Sequence, residues 1–216
     1  MNRRYFVAGV AALSVLGFAG GTFAYREAVA AAAREAAAQV QTALYREHAP
    51  VIGPIDAPVT ITEFFDPSCE ACRAFYPIVK QIMGMHEGKV RLVLRYAALH
   101  PGSDIAVGII EAARKQDMLL PVLDALMEKQ PEWAQDGAPN LERAWVIAGE
   151  AGLDLARARV DAALPEVAAI LEQDGKDVEA VELRGTPTFF VNGRPLTEFN
   201  PQKLYELVTE EVVAAQ

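Results

Sequence analysis

The chain has 216 residues, 52% of them hydrophobic, and its formal net charge is −9 at pH 7. This length and apolar content are enough for one full-sized domain or two small ones, so they exclude a disordered chain and a miniature disulfide scaffold. The acidic surplus argues against nucleic acid as a partner, because binding to phosphates needs a surplus of Lys and Arg on some face.

The first 25 residues predict export. Arg3 and Arg4 precede an uncharged, largely apolar run over residues 5–25, which as a helix is long enough to cross about 30 Å of hydrocarbon. Small residues near Ala24 and Ala30 suit signal peptidase, whereas the length of the run suits a retained anchor. We therefore expect a signal peptide or a membrane anchor over residues 1–25, and a periplasmic remainder that is either soluble after cleavage or held at the inner membrane. The alternative is a cytosolic protein that buries its first helix.

Residues 26–50 are predicted to form a helical spacer, because they are rich in Ala, Glu, Arg and Gln. A thin heptad stripe runs along residues 26–48, and it leaves three interpretations open: a homo-oligomer, a spacer that holds the domain off a membrane, or a helix that lies on the domain. Pro50 and the Gly53-Pro54 pair interrupt the pattern and mark the predicted domain boundary.

The next segment, residues 51–102, is typical of a strand–helix–strand unit. Residues 59–66 and 90–96 alternate like strands, and a helix between them is predicted to start near Cys69 and to contain Pro77. This order favours a parallel pair of strands. The apolar face of the helix is predicted to comprise Ala74, Phe75, Ile78, Val79 and Ile82.

Residues 103–182 have helical periodicity throughout and are predicted to form an inserted all-helical subdomain. Ile105 and Ile109 mark its first helix, and Asn140 is the predicted N-cap of a later one. Trp133 and Trp145 are expected to pack in the core. The acids of these helices, such as Asp124 and Glu128, are expected to lie on solvated faces.

Residues 183–216 return to the α/β pattern, with a strand at 188–191, a turn at Asn192-Gly193 and a returning strand at 194–196. Asn200-Pro201 predicts the N-cap and first turn of a final helix that extends to Ala215. The predicted class is therefore α/β, with residues 51–102 and 183–216 forming one domain around the helical insertion.

The two cysteines, Cys69 and Cys72, are separated by two residues and are expected to pair with each other. A disulfide that closes so short a loop contributes only about 2 kcal/mol in the chain-entropy model, so stabilisation is a poor reason for it. At the start of a helix, unpaired backbone N–H groups and the helix dipole favour a thiolate. A stabilised thiolate makes the disulfide easy to reduce, so the pair is suited to passing its oxidation to another protein.

Strand alternation places Glu63 on the same face as Val59, Ile61 and Phe65. We expect a partly buried carboxyl with a raised pKa that lies within reach of the cysteines. The alternative is an acid on an edge strand that faces water.

The segments FFDPSCEACRAFYP and RGTPTFFVNG together resemble the DsbA-type thiol-disulfide oxidoreductases of the thioredoxin superfamily, and the resemblance extends over residues 59–213. It implies a thioredoxin-like fold in which Cys69 is the nucleophile, Cys72 the resolving cysteine and Glu63 a buried proton relay. It also implies that Pro187 is a cis-proline facing the disulfide and that Thr186 offers backbone groups to a client peptide.

One departure from the family concerns the dipeptide between the cysteines, which is Glu70-Ala71 where strongly oxidising members have proline and histidine. A carboxylate beside Cys69 disfavours the thiolate, so we expect a less oxidising protein than the type member. Thr186 occurs in isomerases and in some oxidases, and it does not separate the two.

The predicted function is that of an exported thiol-disulfide oxidoreductase that forms or exchanges disulfides in other exported proteins carrying thiols, with re-oxidation by a membrane redox partner. The alternatives are an isomerase or reductase kept reduced by such a partner, or a non-enzymatic Cu(I)-handling protein. No cofactor is implied. His48, His86 and His100 are scattered along the chain, and a metal site built from one of them with the two thiols is not expected.

Overall fold

A computed structural model describes residues 3–134 and 139–216, with side chains from residue 21 onward except that of residue 33. Its contacts divide the chain into two compact units, Met1–Gln41 and Thr42–Gln216. The first unit is helical and belongs to α1 (Arg3–Leu44), whose last residues lie in the second unit. From residue 21 to residue 41 the described side chains are mostly exposed, and the helix ends six residues before the predicted end of the spacer.

Among the residues whose side chains are described, no helix combines the length and the apolarity needed to cross a membrane. Most of the apolar run predicted as a signal peptide or anchor, residues 5–25, lies outside those residues. Its cleavage or retention therefore stays a prediction.

Five strands form the sheet of the second unit, in the order β1-β3-β2-β4-β5. Strand β2 is central: it pairs in parallel with β3 and antiparallel with β4, and all seven of its residues are buried. The strands are β1 (Val51–Ile52), β2 (Val59–Phe65), β3 (Val90–Tyr96), β4 (Thr188–Val191) and β5 (Arg194–Pro195). Three of the strands match the predicted ones closely and β5 is a residue shorter than predicted. The short β1 was not predicted, because Pro50 and Gly53-Pro54 on either side of it favour a turn.

Helix α2 (Glu70–Met85) connects the parallel strands and packs one face into the core. Its buried residues are Cys72, Phe75, Tyr76, Val79 and Ile82. Four of the five residues predicted for the apolar face of this helix pack into the core, including the half-buried Ile78. The prediction was wrong for the fifth, Ala74, which is exposed.

The segment between β3 and β4 is helical, as predicted, and a last helix follows β5. These helices are α3 (Ser103–Arg114), α4 (Leu119–Glu128), α5 (Gln130–Trp133), α6 (Leu141–Glu150), α7 (Leu155–Ala162), α8 (Pro165–Ala180) and α9 (Pro201–Ala214). Asn140 and Asn200 cap α6 and α9 through their side-chain oxygens, and Trp133 and Trp145 are buried, all as predicted. Ile105, expected on a buried face, is 43% exposed.

The expectation that the helix acids lie in water was wrong for two residues of α8. Asp174 and Asp177 are buried and face Arg95, which is also buried near the end of β3. The guanidinium of Arg95 donates to Asp174 over 2.6 Å and to Asp177 over 2.7 Å. Glu111 of α3 is buried as well, and Asp124 is half-buried, accepting hydrogen bonds from Tyr76 and Lys80. Glu128 is exposed as expected.

Two residues that follow α1 complete this group, which we call the Arg95 cluster: Arg46, His48, Arg95, Asp174 and Asp177. Arg46 lies 2.6 Å from Asp177, and His48 Nε2 lies 2.6 Å from Asp174. The cluster therefore joins the segment after α1 to β3 and α8 through contacts to two buried aspartates.

Candidate active site

Cys69 is the N-cap residue of α2. The sequence predicted it in the first turn of the helix, one position further along. Its backbone is extended, and its N–H closes a turn by donating to the carbonyl oxygen of Asp66 over 3.1 Å. This position directs the first free N–H groups of the helix at the cysteine sulfur.

The groups around the Cys69 sulfur stabilise a negative charge on it. Hydrogen bonds with the Cys72 thiol, with the Thr186 side chain and with the backbone N–H groups of Cys72 and Ala71 together lower its pKa to about 5, although burial opposes them. Cys69 Sγ lies 3.3 Å from the carbonyl oxygen of Thr186. Both cysteines are free and buried. A thiolate here is favoured at neutral pH, as the position at a helix start predicted.

Cys72 lies one turn further along α2 and is fully buried. Burial raises its pKa far above the ordinary range, and the hydrogen bond to Cys69 and the charge of Glu63 act in the same direction. The backbone N–H of Asp66 contacts its sulfur at 3.5 Å. The two thiols therefore differ sharply in acidity, and Cys72 needs a base before it can act as a nucleophile.

Glu63 is fully buried in the central strand, opposite Leu94 of β3 and Phe189 of β4. Within the part of the chain that the structure describes, neither of its carboxylate oxygens has a hydrogen-bond partner. Burial, and after it the charge of Cys69, raises the pKa of Glu63 to about 8. The predicted burial and raised pKa are confirmed, and the alternative of an exposed edge-strand acid is wrong.

The peptide bond between Thr186 and Pro187 is cis, as the resemblance implied, and it immediately precedes β4. The hydrogen bond between Cys69 and Thr186 brings this loop onto the start of α2 although 117 residues separate the two positions. The five residues expected at the site, Glu63, Cys69, Cys72, Thr186 and Pro187, are thus gathered around the N-terminus of α2. Their individual roles remain predictions.

Asp66 is a residue of this site that the sequence analysis did not single out. It is fully buried, and its carboxylate accepts hydrogen bonds from two neighbouring segments. The donors are Ser68 N (2.8 Å), Ser103 Oγ (2.6 Å), Leu99 N (2.8 Å), His100 N (3.1 Å) and His100 Nδ1 (2.7 Å). The available signal was its place in the sequence, between the end of a buried strand and the cysteine motif.

Gln130 is a second such residue. Its side-chain N–H group donates to the carbonyl oxygens of Pro67 (2.7 Å) and Cys69 (3.0 Å), and its side-chain oxygen accepts from Arg73 (3.1 Å). A residue of the helical insertion therefore holds the backbone of the turn that carries Cys69.

Beside the site, three aromatic rings connect α2 to β4 and to the loop after β5. Phe75 stacks on Phe199 with ring centroids 4.3 Å apart and also contacts Phe189 at 5.5 Å. Phe199 is 57% exposed.

In the described ranges, no three His, Cys, Asp or Glu side chains are grouped in a way that could hold a metal ion.

The model of the thioredoxin family matches residues 45–210, which cover the whole site, and the chain belongs to that family. A solved structure of a thioredoxin-like oxidoreductase from Silicibacter pomeroyi DSS-3 is 31% identical, has a TM-score of 0.69, and aligns over 81% of this chain and 98% of its own. Disulfide bond formation protein D of Bacillus subtilis (strain 168) is 29% identical over 167 residues, with 69% of this chain and 70% of that protein covered.

A Na(+)/H(+) antiporter NhaA of Herminiimonas arsenicoxydans is 34% identical over 146 residues. The match covers 67% of this chain but 22% of the antiporter, so this chain spans about a fifth of that protein. The thioredoxin-like fold and the DsbA-type thiol-disulfide oxidoreductase class predicted from the sequence are confirmed.

Proposed function

We propose that the protein is an exported oxidoreductase that forms or exchanges disulfides in other exported proteins through Cys69 and Cys72. The observation that carries the proposal is the pairing of an acidic thiol at the N-cap of α2 with a buried, weakly acidic one a turn later. Such a pair releases a stable thiolate when its disulfide is reduced, and this favours donation of the disulfide to a client.

In the first step, a client thiolate attacks the Cys69 sulfur of the oxidised pair. The Cys69–Cys72 bond breaks, a Cys69–client disulfide forms, and Cys72 leaves as a thiolate. Cys72 cannot remain charged in its buried position, so it takes a proton. Glu63 retains its proton at neutral pH because its pKa is raised to about 8, and its charge is coupled to Cys72, so we assign it this proton transfer.

In the second step, another client thiolate attacks the client sulfur of the mixed disulfide. The client disulfide forms, and Cys69 leaves as the thiolate whose pKa is lowered to about 5. A thiol of low pKa is a good leaving group, so this geometry favours release of the oxidised client. The client has lost two electrons and the enzyme pair has gained them.

Thr186 is proposed to hold the client peptide. Its carbonyl oxygen lies 3.3 Å from Cys69 Sγ, and the chain enters β4 directly after Pro187. An extended client segment laid along this loop would place its cysteine against Cys69.

The stabilised Cys69 thiolate favours an oxidase, because the pair then gives up its disulfide readily. The alternative is an isomerase or reductase, whose cysteine pair must be kept reduced. We propose a periplasmic location and a membrane partner that re-oxidises the pair. Trapping the cysteines by alkylation in the cell tests the direction: a pair found mostly as disulfide supports the oxidase, and one found mostly as dithiol overturns that direction.

The chemistry itself is tested by two variants with a reduced client protein as substrate. Cys69→Ser is expected to abolish disulfide transfer, whereas Cys72→Ser is expected to accumulate client proteins joined to Cys69, visible as adducts on non-reducing gels. Wild-type turnover by either variant would refute the mechanism.

A further inference from the structure

His100 lies in the loop between β3 and α3, next to the turn that carries Cys69. Its side chain is 44% exposed, and both its ring Nδ1 (2.7 Å) and its backbone N–H (3.1 Å) bind the same carboxylate oxygen of Asp66. The ring is therefore held in one orientation while part of it faces solvent.

The residue that holds His100 is also bonded to both cysteines. The carbonyl oxygen of Asp66 accepts the N–H of Cys69 at 3.1 Å, and its own N–H contacts Cys72 Sγ at 3.5 Å. Its other carboxylate oxygen is bound by Ser68 and Ser103. Since Asp66 is buried and bound on every side, it fixes the imidazole relative to the two sulfurs.

The charges around the ring favour its cationic form. The hydrogen bond that the His100 ring donates to Asp66 is the largest influence that raises the pKa of His100, and the charges of Asp66 and Cys69 raise it further, against burial. The other ionisable groups on neighbouring elements are mostly acidic. They are Glu63 on β2, the exposed Glu70 and the Gln130-bound Arg73 on α2, and Asp104 on α3.

We propose that His100 is a positioning residue for the redox pair: an imidazolium that Asp66 holds beside the CxxC turn and that stabilises the Cys69 thiolate. It supplies from a separate loop a positive charge that the dipeptide between the cysteines, Glu70-Ala71, does not contain. The inference rests on the proposed function, because a stabilised thiolate matters only if Cys69 exchanges disulfides.

His100→Asn tests this with little change in shape, because the amide of asparagine can donate to Asp66 as Nδ1 does but carries no charge. We expect the thiolate fraction of Cys69 at a fixed acidic pH to fall about two- to fivefold, the range for an exposed charge pair. The ultraviolet absorbance of the thiolate, followed during a pH titration of the reduced protein, measures it.

His86→Asn is the matched control. His86 caps the opposite end of α2, about 24 Å of helix from Cys69, and contacts Thr209. This variant is expected to leave the Cys69 titration unchanged. A Cys69 pKa that is equal in the wild type and His100→Asn would overturn the inference, and so would an equal shift in the control.

A reciprocal measurement avoids any change at His100. Coupling between two sites acts equally in both directions, so the imidazole must respond to the thiolate as the thiolate responds to it. We expect the NMR titration of His100 to show a lower pKa in reduced Cys69→Ser than in the reduced wild type. Identical titrations would refute the coupling.

The two hypotheses fail differently. If disulfide transfer does not depend on Cys69, the proposed function is wrong. If transfer depends on Cys69 but neither titration shifts, the function stands and the assignment of His100 is wrong.

Discussion

The protein buries carboxylates in two regions of the same domain, and the regions treat them differently. In the Arg95 cluster, Asp174 accepts hydrogen bonds from Arg95 and from the backbone of Tyr96, and contacts His48. At the redox site, Glu63 is equally buried but has no partner among the described residues. Burial alone therefore does not raise the pKa of an acid; burial without a compensating donor does.

The pKa values of Asp177 and Glu63, one acid from each region, shift in opposite directions. Although burial would raise it, hydrogen bonds from Arg46 and Arg95 hold the pKa of Asp177 below its ordinary value. The pKa of Glu63 is raised to about 8. Arg46 and Arg95 favour the ionised form of Asp177, whereas Glu63 is mostly protonated at neutral pH.

The largest effect should come from removing the cation that the cluster shares. Arg95→Met leaves Asp174 and Asp177 buried with less compensation, and breaking a buried ion pair in this way costs about 3–5 kcal/mol. Chemical denaturation measures the loss in the free energy of unfolding. Arg194→Met is the control, since Arg194 also pairs with two acids but at the surface, and it should lose far less. Equal losses would show that burial of the cluster is not what makes it stabilising.

A smaller effect is expected from Glu63→Gln on the rate of disulfide chemistry. The amide cannot exchange a proton with Cys72, so oxidation of the reduced pair by glutathione disulfide should slow about a hundredfold at neutral pH, a typical factor for general acid–base catalysis. Stopped-flow measurement of this oxidation checks it. Alkylation of Cys69 by iodoacetamide serves as the control, because it does not involve Cys72 and should change little. An unchanged rate of oxidation would remove Glu63 from the mechanism.

The smallest effect, taken per pH unit, is on the pH dependence of stability. Because the folded-state pKa of Glu63 is raised, the folded protein binds a proton that the unfolded chain has lost between about pH 4.5 and about pH 8. Glu63 therefore contributes stability that is full below that interval and is lost as the pH rises through it, by at most about 1.4 kcal/mol per pH unit. The difference between wild-type and Glu63→Gln unfolding free energies, measured across this range, should show the slope. A constant difference would contradict the raised pKa.

Periodicity and turn chemistry predicted much of the fold from the sequence. The alternation in β2 and β3, the caps at Asn140 and Asn200 and the turn at Asn192-Gly193 are local signals, and the structure confirms each of them. β1 was missed because its two residues lie between turn-forming ones, and its pairing with β3 is a long-range contact.

The site was also predicted only in part, because the sequence shows local signals but not contacts between distant residues. Glu63 and the cysteines share one strand–turn–helix segment, so their proximity follows from chain order. His100 meets Asp66 from a position 34 residues away, and Arg95 meets α8 across about 80 residues. An arginine within a strand or an aspartate within a helix is expected in water when read from the sequence, and only the packing of distant elements buries it.

The hydrogen bonds of Gln130 bear on how far this fold could be shortened. The strands and α2 contain both sulfurs and Glu63, and a shortened protein that lacked residues 103–180 would retain all three. It would lose the Gln130 side-chain amide, which donates hydrogen bonds to the carbonyl oxygens of Pro67 and Cys69. It would also lose the hydrogen bond from Ser103 to Asp66. The helical insertion is thus hydrogen-bonded to the reactive turn, and we expect a protein without it to hold the two sulfurs less rigidly.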